Sequence, residues 1–85
     1  MQIIYNLNIK AMKNYHDFTE VYLLTIKNDS EIIFASVHEL DARNMVQRLR
    51  PYLQRDGINT VYLKRCHLID FDNETREMIV NNFLE

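Results

Sequence analysis

The chain has 85 residues, 47% hydrophobic and 26% charged, with a net charge of −2. That balance fits one globular domain over residues 1–85 and excludes a disordered tail or a collagen-like repeat. One cysteine excludes an internal disulfide, and no apolar run reaches the ~18 residues needed to span a bilayer.

Ile3, Tyr5, Leu7 and Ile9 alternate with polar residues, the period-2 signature of a half-buried strand. Ala11 to Asp17 loses the pattern and reads as a loop. Phe18 to Lys27 and Glu31 to Val37 read as two further strands, joined at Asn28-Asp29-Ser30 into a β-hairpin. Ser36 and Glu39 then have the spacing of a capping box, with His38 an alternative first residue. Ala42, Met45, Val46, Leu49, Tyr52 and Leu53 recur every three or four residues, the apolar stripe of a helix. Pro51 should bend its last turn, and Gly57 is suited to the left-handed residue that ends it. Ile58 to Ile69 reads as a fourth strand. Asp70 to Asn73 offers caps for a terminal helix buried through Ile79, Val80, Phe83 and Leu84. The expected fold is α+β in the order β-β-β-α-β-α, a two-layer sandwich of two helices on a mainly antiparallel four-stranded sheet.

The hairpin is apolar on both sides. Strict alternation puts Tyr22, Leu24, Ile26, Ile33, Ala35 and Val37 on one face, and Val21, Leu23, Ile32 and Phe34 on the other. Two helices on one side would leave the second face wet, and a bare apolar patch of that size is unusual on a monomer. Either the terminal helix crosses to cover it, or another protein does, most simply a second copy. Val21, Leu23, Ile32 and Phe34 are therefore the expected protein interface.

Charge is laid out in blocks. Residues 1–42 carry −3, residues 43–66 carry +5 and residues 67–85 carry −4. The basic block comprises Arg43, Arg48, Arg50, Arg55, Lys64 and Arg65. On helical spacing Arg43 and Arg50 share one exposed face, and Arg48 and Arg55 another. Such faces, with Tyr62 close by, suit phosphate contact and base stacking or contact with a partner, although the pI of about 5.9 argues against a dedicated nucleic-acid binder.

Signals for chemistry are weak. Cys66 and His67 are neighbours on a strand and point to opposite faces, so they make no nucleophile–base pair with each other. His16 and His38 are the remaining candidates to meet the thiol in space. The histidines have no metal-ligand spacing, and Asp70-Phe71-Asp72-Asn73-Glu74 lacks the mid-loop glycine of a calcium loop. Gly57, the sole glycine, excludes a phosphate-cradling loop. No catalytic residue, metal or cofactor is expected. The lone cysteine and the lack of a basic, apolar leader suit a reducing, cytoplasmic setting.

In size, scarcity of glycine and opposed charge blocks, the chain resembles the small accessory proteins of bacteriophages. Those bind and block larger proteins, and the resemblance implies a non-enzymatic regulatory or inhibitory module with a protein partner. A small nucleic-acid-binding regulator is the alternative.

Overall fold

A computed structural model describes residues 15–85. Three strands form one antiparallel sheet: β1 (Glu20–Ile26), β2 (Glu31–Ser36) and β3 (Tyr62–His67), in the order β2-β1-β3. Helix α1 (Glu39–Arg55) joins β2 to β3, and α2 (Asn73–Ile79) runs on into a π-helical turn over Val80–Leu84. The α+β class holds, but the sheet has three strands among the described residues and not four. The strand expected from Ile3 to Ile9 lies outside those residues. The strand expected from Ile58 to Ile69 is shorter at both ends, since Leu68–Asp70 turn into a 3₁₀ helix.

The two helices pack on opposite faces of the sheet, which corrects the two-layer expectation. Register fixes the faces. Leu24 pairs with Phe34 and Leu63, while Leu23 pairs with Ala35 and Lys64. A bulge between Leu24 and Thr25 then pairs Thr25 with Ile32, so Ile33 is the extra residue of β2. It breaks the strict alternation, placing Phe34 with Leu24 and Ala35 with Leu23. Tyr22, Leu63 and Arg65 share a shallow recess with Glu39 and Arg43 of α1, which identifies the α1 face.

The other face carries the main core. Val21, Leu23 and Ala35 are fully buried against Leu68, Ile79 and Val80, with Ile32, Cys66, Phe71 and Phe83 around them. The chain's own terminal segment thus covers the second hairpin face. Two bonds hold it there: Arg76 donates to Asp17 at 3.3 Å, and the Tyr15 hydroxyl donates to the Leu84 carbonyl; Arg76 also donates to the Phe71 carbonyl at 3.0 Å, within the segment itself. Asp72 caps α2 by accepting from the Thr75 amide at 2.8 Å.

Two turns complete the frame. Lys27, Asn28 and Asp29 all have positive φ, at 56°, 58° and 68°. Asp29 anchors this strained turn by accepting from the Thr25 hydroxyl at 2.6 Å and from Lys64 at 2.8 Å. At the end of α1, Gly57 has φ 80° and donates to the Gln54 carbonyl, while Ile58 donates to Leu53 at 2.8 Å. That is a Schellman ending, which requires the left-handed residue glycine adopts without strain. The helix is continuous through Pro51. His38, without a side-chain cap, precedes its first residue, and Ser36 accepts only from the His38 amide.

Candidate binding surfaces

The six cations of the basic block divide into two groups. Arg43 is held by Glu39 at 2.6 Å, one helical turn back. Lys64 is held by Asp29 at 2.8 Å, and Arg65 lies 3.9 Å from Glu20. These three are largely engaged by the chain's own carboxylates. Arg48, Arg50 and Arg55 make no ion pair among the described residues, and all three are exposed along α1. The free positive charge therefore concentrates on the C-terminal half of α1.

Tyr52 belongs to that surface. The apolar spacing assigns it to the buried stripe, yet 57% of it is exposed, with the Arg55 guanidinium 5.2 Å from its ring centre. Helical geometry explains this: Tyr52 follows Arg48 by four residues and precedes Arg55 by three, so all three share one side. The stack leaves Arg55 charged and positioned over an apolar ring. Sequence reasoning missed Tyr52 because it counted an aromatic as core, although the spacing of the flanking arginines was the available signal.

A groove of about 350 Å³ lies on another side of the same half-helix. Val46, Leu53, Ile58 and Val61, all half-buried, line it together with exposed Arg50, Gln54 and Asn59.

The expected apolar interface is placed differently. Val21 and Leu23 have no exposed surface, and Ile32 and Phe34 are half-buried. Phe34 meets Phe83 edge-to-face, with ring centres 6.2 Å apart. Among the described residues the large hydrophobic side chains that do face solvent are others: Phe18, Leu40 and Ile69, besides Tyr52 and Tyr62.

Cys66 is half-buried beside the terminal segment, and burial pushes its thiol above the usual range, with Asp70 and Asp29 adding to the rise against Lys64. A thiol so placed stays protonated near neutral pH, the opposite of an activated nucleophile. His67 lies 3.9 Å from both Glu20 and Asp70. Among the described residues no three His, Cys, Asp or Glu side chains are grouped to hold a metal ion. None of their helices is long and apolar enough to cross a membrane. Set against protein-family models, curated proteins and solved structures, the chain matches none of them.

Proposed function

We propose that the chain is a small non-enzymatic binding module that docks on an acidic surface of a larger protein through the C-terminal half of α1. The observation that carries this reading is the partition of the basic block. Arg43, Lys64 and Arg65 each have a carboxylate of the chain itself within 3.9 Å, while Arg48 and Arg55 flank an exposed Tyr52 with no acid beside them among the described residues. Arginine and tyrosine are the residue types that most often dominate protein–protein contacts. With Val21 and Leu23 enclosed by Ile79 and Val80, the apolar-face argument for a symmetric dimer loses its exposed area. The module is proposed to act as a monomer.

The same arginine–tyrosine–arginine stripe favours a second reading, phosphate contact with base stacking on Tyr52. Binding to poly-glutamate and to random-sequence DNA, each followed by light-scattering mass from low to physiological salt, separates the two. The proposal expects a poly-glutamate complex, weakened about tenfold or more in a folded Arg48→Glu/Arg55→Glu variant, and no comparable DNA complex. A salt-sensitive DNA complex lost in that variant, without poly-glutamate binding, would put the nucleic-acid reading first.

A further inference from the structure

The groove beside Arg50 carries an inference of its own. Its backbone is set by the Schellman ending, because the Ile58-to-Leu53 hydrogen bond at 2.8 Å fixes two of its apolar walls relative to each other. Val46 adds a wall from earlier in α1, and Val61 adds one from the approach to β3. These four side chains are half-buried, whereas Arg50, Gln54 and Asn59 are exposed, so the polar groups form the mouth. The lining mixes polar and apolar surface, so a ligand that joins a charged head to a short apolar tail suits it better than a wholly apolar one.

Arg50 decides the chemistry. It has no acidic partner among the described residues, and two carboxamides, both able to donate hydrogen bonds, line the groove with it. A planar guanidinium pairs best with a planar carboxylate, which it holds by two parallel hydrogen bonds. A phosphate monoester, carrying nearly two charges, would face only one cation there.

We propose that this groove binds aliphatic carboxylates, with the tail against Val46, Leu53, Ile58 and Val61 and the carboxylate on Arg50. The site goes beyond the protein-binding reading, since Arg48 and Arg55 leave α1 on a different side and do not line the groove.

Titration of ¹⁵N-labelled protein with octanoate, octanamide and acetate, followed by amide chemical shifts, tests it. Octanoate should give saturable shifts centred on residues 46–61. Octanamide, with the same tail and no charge, should bind about tenfold more weakly, as expected for loss of a charged hydrogen bond. Acetate should not saturate. Arg50→Gln, on the outer face of α1, should reduce octanoate to the octanamide level. The Arg48→Glu/Arg55→Glu variant should bind octanoate like the parent, which keeps this test separate from the docking proposal. Equal binding of octanoate and octanamide, shifts centred elsewhere, or full octanoate binding by Arg50→Gln would each overturn the assignment.

Discussion

The carboxylate of Asp29, in the turn between β1 and β2, accepts a hydrogen bond from Lys64 of β3 at 2.8 Å. Its other oxygen takes the Thr25 hydroxyl at 2.6 Å, so one side chain ties the turn to two strands. These bonds hold the Asp29 carboxyl below its ordinary 3.8, with Lys64 the larger cause. Asp72 is lowered likewise, by the Thr75 amide it caps. A carboxyl with a depressed folded pKa contributes stability that is present above its unfolded value and lost as pH falls through the folded value. Urea midpoints measured from pH 6 to 2 should therefore decline on the acid side. In Asp29→Asn the decline should be shallower and the pH 6 midpoint lower. An unchanged acid limb in that variant would remove Asp29 from the account.

The same backbone rule predicts opposite signs at two turns. Gly57 sits at φ 80° with open space where a side-chain methyl would stand, so Gly57→Ala costs only backbone strain, about 1 kcal/mol. Lys27 already bears that strain at φ 56°. Lys27→Gly should stabilise by about 0.5 kcal/mol, after the added entropy of the unfolded chain is subtracted. Its exposed ion pair with Glu31 contributes little. Urea denaturation of both variants checks the pair.

Ile79→Ala removes a fully buried side chain from the layer over Val21 and Leu23. The expected loss is about 2–4 kcal/mol, a large part of the stability of so small a domain. A thermal melt showing little change would mean that the terminal segment is not a firm part of the core.

Phe34→Glu is informative for a different reason than its sequence suggests. Phe34 lies on β2, an edge strand of the described sheet, where its ring meets Phe83 of the terminal segment, so a carboxylate there should loosen that segment. The expected result is a lower melting temperature with the mass of a monomer in both proteins. A folded parent dimer that dissociates in the variant would restore the interface reading.

Cys66, with its thiol pushed up by burial, should react slowly with iodoacetamide in the native protein. At pH 8 the expected labelling is at least about tenfold slower than in urea. Rapid native labelling would reopen a thiol chemistry.

The elements that follow from local pattern were legible in the sequence: the hairpin, the stripe of α1 apart from exposed Tyr52, the stop at Gly57, and a helix cap somewhere within Asp70 to Asn73, which the structure narrows to Asp72. What local pattern does not carry is which face each element takes. Both faces of β1 are apolar, so Leu23 and Leu24 are equally good floors for a helix, and periodicity cannot assign α1 to one and the terminal segment to the other. The bulge at Ile33 is invisible to an alternation rule and reverses the grouping of Phe34 and Ala35. The fate of the charges is likewise a matter of long-range placement. Lys64 meets Asp29 from 35 residues away, and nothing in the spacing distinguishes it from Arg48, which meets no acid among the described residues.

Strand order has a kinetic consequence. The central strand, β1, pairs with β2 across a short turn, but its other edge waits for β3, which arrives only after the whole of α1. Because β1 is antiparallel to both neighbours, β2 and β3 run the same way, and α1 must arch over β1 to connect them. Hairpins close locally, generally within microseconds, whereas closing the β1–β3 seam must meet the larger loop entropy of the intervening α1 segment. Folding is then expected to be gated at that seam, and residues such as Leu63 should report the late step.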